Sequence, residues 1–188
     1  MKKIAYSGIE GAFAHVVARK LFPDAIHVSC DGFRKAYEAV LCGECDAAVL
    51  PVENSYAGPV KEVEDILSEG KLKIEEEYTL PIVQNLLGVR GSRIGDIKKV
   101  ISQIKALEQC EDYIKQHGYE VIESVNTAMA AREVTRMQNM SVAAIASLEV
   151  AAMYGLKVLD EHINDRDDNM TKFVAVTLAD DGTGTGNK

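Results

Sequence analysis

No apolar run in this 188-residue chain approaches the roughly 18 residues that a membrane-spanning helix needs, so a transmembrane reading is excluded. Positive charge is also short. Lys and Arg number 21 against 29 Asp and Glu, a formal net charge of −8, which argues against a general nucleic-acid binder, because phosphate contacts need a basic footprint. Met1-Lys2-Lys3 is basic, but Ile4-Ala5-Tyr6 reaches Gly8 too soon for a signal-peptide core. The expectation is a cytoplasmic protein, and its four cysteines are then expected as reduced thiols. No Pro/Gly-rich linker divides the chain internally, and there is no internal repeat. What is present is ordinary for a globular protein: 47% hydrophobic and 27% charged residues, on a chain long enough to bury a core without staples.

Short apolar runs alternate with helical spacing. Ile4 to Tyr6, Ala25 to Val28, Ala47 to Val52, Val100 to Ser102, Val121-Ile122, Val142 to Ala146 and Lys172 to Leu178 read as strands, with extended segments around Pro81. The spacing predicts helices over Ala12–Phe22, Phe33–Leu41 with Asp31 as N-cap, a stretch through Val60, Val63, Ile66 and Leu67, Ile104–His117, Thr127–Met137 capped by Asn126, and Leu148–Tyr154. Repeated strand–helix units imply α/β layers. Two lobes sharing one catalytic domain over 1–178 are expected, one near 1–77 plus 167–178 and one near 78–166. Residues 179–188, Gly-, Thr- and Asp-rich, read as a tail or linker.

Polar clusters sit where apolar strands end and helices begin: Gly8-Ile9-Glu10-Gly11, Glu53-Asn54-Ser55, Ser102-Gln103 and Asn126-Thr127. Helix N-termini bind anions through free N–H groups and the macrodipole. The plain alternative is helix capping, worth about 1 kcal/mol each. Asn169 to Phe173 brings a Thr-Lys pair into an apolar strand, whose plain reading is a strand edge with a solvated lysine. Cys42-Gly43-Glu44-Cys45 has metal-ligand spacing but no second pair, and reads as incidental, so no metal is expected. Cys110 and Met129, Met137 and Met153 read as core or interface filler, His15 as structural, and Glu75-Glu76-Glu77 as a solvated face.

Tyr6 to Phe13, Pro51 to Ser55, Ser102 to Cys110, Asn126 to Ala131, Ala143 to Ser147 and Asn169 to Phe173 occur in an order that resembles the prephenate dehydratase catalytic domain, over about residues 3–178. The resemblance implies a two-lobed α/β fold like that of the type 2 periplasmic binding proteins, with the active site in the interlobe cleft. It implies decarboxylative dehydration of prephenate to phenylpyruvate in phenylalanine biosynthesis, with no metal or organic cofactor, in a homodimer or homotetramer. Carried over by position, Thr171, Asn54, Ser102 and Gln109 become catalytic candidates. Lys172, Thr127, Ser55, Glu53, Asn126, Phe173, Gly8 and Gly11 become substrate-binding candidates.

This chain departs from the family pattern at several places. Lys172 stands for the family's Arg, Gln103 and Ile104 for a His and a Pro, and Asn126 for a Ser. Lysine keeps the charge and loses the bidentate fork. Members of the family commonly carry a C-terminal ACT domain, and this chain stops about where it would begin, so insensitivity to phenylalanine is expected. Thr171 is placed at the departing hydroxyl as a hydrogen-bond donor, because an alcohol is a poor acid near neutrality. Glu53 is the alternative proton source, with capping or an ion pair as its structural reading. Arogenate dehydration, and a non-catalytic small-anion binding module on the same fold, remain open as alternatives.

Overall fold

A computed structural model describes residues 1–179, and the tail expected beyond Ala179 lies outside the described residues. The chain divides into two compact units. The first comprises Met1–Gly8, Val17–Leu80 and the chain from Thr171; the second comprises Ile9–Val16 and Pro81–Met170.

The first unit is built on one sheet in the order β2-β1-β3-β11-β5, formed by β1 (Lys3–Ser7), β2 (Ile26–Cys30), β3 (Ala47–Asn54), β5 (Leu72–Pro81) and β11 (Met170–Leu178), with the short β4 (Gly58–Pro59) paired to β3. Ile4, Ala5, Ala48, Val49 and Leu50 are fully buried, as expected of strands covered on both faces. The helices α2 (Phe33–Leu41) and α3 (Lys61–Ser68) place Ala36, Tyr37, Val40, Val63 and Ile66 against Ala5, Ala48, Leu50, Val174 and Val176. The helix α1 (Phe13–Leu21) crosses the division between units, and β5 and β11 cross it by one terminal residue each, Pro81 and Met170.

The second unit has the sheet order β10-β6-β9-β7-β8, from β6 (Asn85–Gly88), β7 (Lys99–Ser102), β8 (Glu120–Glu123), β9 (Val142–Ala146) and β10 (Lys157–Asp160). Strand alternation sends Leu87, Ile101, Ala144 and Ala146 to one core with α6 (Thr127–Met137) and α7 (Leu148–Tyr154). Leu86, Val100, Ala143 and Ile145 go to a second core with α4 (Ile104–Glu108) and α5 (Glu111–His117). Cys110 lies in that second core at 0% exposure, and burial pushes its thiol well above the usual range.

Several expectations need correction. The helix read over Ile104–His117 is two helices broken at Gln109-Cys110. The cause is tertiary: the Asp165 N–H donates to the Gln109 carbonyl at 2.8 Å, and the Asp165 carboxylate accepts the Asp112 N–H, which caps the second helix from outside it. The N-cap of α2 is Gly32, at φ 94°, and not Asp31. Strands β4 and β10 went unread, being short and without alternation. The last strand starts at Met170, so Thr171 lies inside the sheet rather than ahead of it.

Candidate functional site

In the first unit the site candidates meet on neighbouring strands. β11 pairs antiparallel with β3, matching Thr171 to Asn54 and Lys172 to Glu53. The register then shifts, so that Phe173 faces Pro51 and Val52 is the extra residue of a bulge. Beyond Asn54 the chain turns, and the Asn54 Oδ1 accepts the N–H groups of Tyr56 and Ala57, both at 3.0 Å. This Asx-type turn fixes the amide. Its Nδ2 then faces Thr171 and donates to Oγ1 at 2.9 Å. A hydroxyl that accepts from an amide keeps its own proton for another acceptor. That proton has no acceptor among the described residues, and Thr171 is half-buried.

The charged neighbours are exposed. The Lys172 Nζ pairs with the Glu77 carboxylate at 2.7 Å, with side-chain exposures of 40% and 53%. The Glu75-Glu76-Glu77 run is exposed, as expected from sequence, and Lys172 stays partly solvated while carrying this ion pair. Strand alternation also turns Lys172 and Thr171 to opposite faces. An exposed pair of this kind contributes about 0–1 kcal/mol, so an incoming carboxylate can displace Glu77 cheaply. Glu53 is exposed and takes neither of its structural readings: it makes no ion pair and caps no helix among the described residues. Ser55 is exposed in the turn after Asn54, and Phe173 is core at 2% exposure. Gly8 has both backbone groups engaged, its N–H with the Cys30 carbonyl and its carbonyl with the Ser29 hydroxyl, so its N–H is not available to an anion.

In the second unit β7, β8 and β9 run parallel, and α4, α6 and α7 follow their C-terminal ends at one edge of the sheet. Ligands favour this edge in α/β folds. Asn126 caps α6, its Oδ1 accepting the Met129 N–H at 2.8 Å, which is the plain capping role. Thr127 is 6% exposed and its hydroxyl bonds to no described residue.

Ser102 is a correction. It is fully buried, and its hydroxyl donates to the Ile145 carbonyl at 2.6 Å. With its proton committed to the sheet it can accept but not donate, which removes it as a carboxylate ligand. Gly11 is a second correction. Its N–H donates to His15 Nδ1 at 3.0 Å, which also gives the buried His15 a structural role. At φ 92° a Cβ on Gly11 would meet Val150 Cγ2 at 3.1 Å and Ala128 Cβ at 3.3 Å, so the glycine is required by backbone and packing. Gln109 Oε1 accepts from Gln84 Nε2 at a long 3.4 Å.

Sequence reasoning missed Gln84, Asn85 and Asp165. Asn85 is fully buried and donates to the Ala146 carbonyl at 3.1 Å; a polar pair breaking an otherwise apolar run, Ile82-Val83 to Leu86-Leu87, is the one signal that marks it and Gln84. Among the described residues no group of three His, Cys, Asp or Glu could hold a metal ion.

Comparisons with known proteins converge on one family. The family model described as Prephenate dehydratase matches residues 4–181. The chain is 40% identical over 172 residues to arogenate dehydratase/prephenate dehydratase 1, chloroplastic, of Arabidopsis thaliana, which is 92% of this chain and 44% of that one. The chain thus spans less than half the length of that curated relative. The solved prephenate dehydratase of Arthrobacter aurescens, in complex with L-Phe, superposes with a TM-score of 0.86 at 30% identity, covering 94% of this chain and 60% of that one. GqqA, described as a novel type of quorum-quenching acylase, also has a TM-score of 0.86, at 29% identity over 95% of this chain and 64% of that one.

Proposed function

We propose that this chain, which belongs to the prephenate dehydratase family, catalyses the decarboxylative dehydration of prephenate to phenylpyruvate. The ring C–CO₂ bond breaks, and its electron pair enters the ring. The C–OH bond breaks with its pair on oxygen, a proton taken up from solvent makes that oxygen water, and aromatisation drives the step. The observation that carries the reading is the Asn54–Thr171 hydrogen bond. With the Asn54 amide fixed by two backbone N–H groups, Thr171 Oγ1 is an acceptor from Asn54 and a donor toward its remaining neighbour. A donor set at the oxygen where charge develops stabilises the transition state more than the ground state. Thr171 acts in this reading as a hydrogen-bond donor and not as a free acid. Lys172 leaves β11 on the face opposite Thr171, so its long side chain reaches a substrate carboxylate around the end of the strand, in exchange for Glu77.

A second reading, arogenate dehydration, is favoured by a separate observation. Arogenate carries an ammonium beside its side-chain carboxylate. Lys172 sits between Glu77, its ion-pair partner, and Glu53, opposite it in register. Such alternating charge suits a zwitterion better than a keto acid. The similar curated relatives named for arogenate support the same reading. The acylase neighbour shows that different chemistry occurs on this fold.

One experiment separates these. The purified chain is incubated with prephenate and with arogenate, and phenylpyruvate (ultraviolet absorbance in alkali) and phenylalanine are measured. Turnover of either acid supports a dehydratase, and the ratio of kcat/KM assigns the substrate. Turnover of neither overturns the proposal in favour of a binding module or another chemistry.

A further inference from the structure

Gln84 is 2% exposed, yet its side-chain Oε1 is buried and has no hydrogen-bond partner. Its Nε2 reaches only Gln109, at 3.4 Å. A buried amide acceptor left without a donor is costly enough to be rare in folded proteins, and turning the amide over would only transfer the deficit to the nitrogen.

The backbone keeps this side chain in place. The Gln84 N–H donates to Asn164 Oδ1 at 2.7 Å, and its carbonyl accepts the Ile163 N–H at 3.0 Å. The next residue of the same loop, Asp165, holds the Gln109 carbonyl at 2.8 Å. Three successive loop residues thus anchor the backbones of both glutamines and bring their amides together. Local structure is built around Gln84 on every backbone atom that can bond, while its side-chain oxygen is left over. That is the pattern of a preorganised ligand contact, kept at the expense of stability.

We propose that Gln84 is a substrate-contacting residue whose Oε1 accepts a hydrogen bond from an O–H or N–H group of the ring acid, beside Gln109. The inference rests on the dehydratase reading and adds a residue to it. The test is Gln84→Met, which keeps the approximate volume and removes the orphaned acceptor, with Gln84→Leu as a second deletion of different shape. Melting temperature and kcat/KM are measured for both variants and the parent, with prephenate and arogenate. Because an unsatisfied buried group is removed, Tm should be unchanged or raised, while kcat/KM falls about 10–100-fold. A fall with both acids identifies a group they share; a fall with arogenate alone identifies its ammonium. A residue that merely supports the fold would instead lose Tm. An active parent whose variants stay within about twofold in kcat/KM, or lose Tm together with activity, overturns this inference alone. A parent that turns over neither acid overturns the dehydratase reading, and this inference with it.

Discussion

Thr171 and Ser102 are both hydroxyl residues at strand ends, yet their protons have opposite fates. Thr171 accepts from Asn54 and keeps its proton available. Ser102 donates its proton to the Ile145 carbonyl and is sealed at 0% exposure. The residue types are nearly interchangeable in sequence. What differs is which neighbour arrives first: a side-chain amide oriented by its own turn in one case, a main-chain carbonyl of the adjacent strand in the other. A hydroxyl near a candidate site should therefore be judged by where its proton goes before any role is given to it.

The sharpest break of this contrast is at Thr171. Thr171→Val keeps the β-branched shape and removes the donor. The expected result is a kcat loss of about 10²–10⁴-fold with KM changed much less, the signature of an interaction made in the transition state. Thr171→Ser should retain much more activity, since the hydroxyl survives. Steady-state kinetics on variants shown to be folded by circular dichroism decide the matter. A folded Thr171→Val within a few-fold of the parent returns attention to Glu53 as the proton source.

Asn54→Asp tests the direction of the hydrogen bond rather than its existence. A carboxylate still accepts the Tyr56 and Ala57 N–H groups, so the turn persists. Its second oxygen then demands a proton from Thr171, turning the hydroxyl away from the substrate. We expect a kcat loss of about 10²–10³-fold, comparable to removing an oxyanion donor, with Tm little changed. Full activity in Asn54→Asp would show that Thr171 does not need its proton free.

Ser102→Ala is the opposite case. It deletes a buried hydrogen bond and should lower unfolding free energy by about 1–3 kcal/mol in a denaturant titration, with kcat/KM within a few-fold of the parent. A large loss of kcat/KM at unchanged stability would restore Ser102 to the chemistry and erase the contrast with Thr171.

The strand–helix alternation was legible because burial imposes a period on the sequence: Val100-Ile101 and Ala143 to Ala146 are apolar throughout since both faces of their sheet are covered. Asn126 was legible as a cap because capping is local. The break at Gln109-Cys110 was not, because it is imposed by Asp165, far along the chain. The orientation of Thr171 and the sealing of Ser102 were hidden for the same reason: each depends on one atom of a different strand. Thr171, Asn54 and Gln109 are candidates through resemblance, whereas the Lys172–Glu77 pair and the unpartnered oxygen of Gln84 emerge only when the chain is folded and each polar atom is assigned a partner.

The smallest expected effect concerns charge at the same strand edge. Glu77→Gln leaves the fold intact, since the Lys172–Glu77 pair is exposed, and frees Lys172 for a substrate carboxylate. For prephenate, KM should fall by about two- to fivefold, matching the 0–1 kcal/mol that such a pair contributes. For arogenate the freed lysine is offset by loss of an acceptor for the ammonium, so its KM should rise or stay level. The ratio of kcat/KM therefore moves toward prephenate, and the movement should shrink as salt is raised, because exposed charges are screened. Lys172→Met is the control and should raise KM for both acids. Parallel changes for the two acids in Glu77→Gln would show that Glu77 only neutralises Lys172 and does not read the ammonium. An unchanged KM in both variants would place the whole charged edge outside the site and leave Thr171 and Asn54 as its only members in this unit.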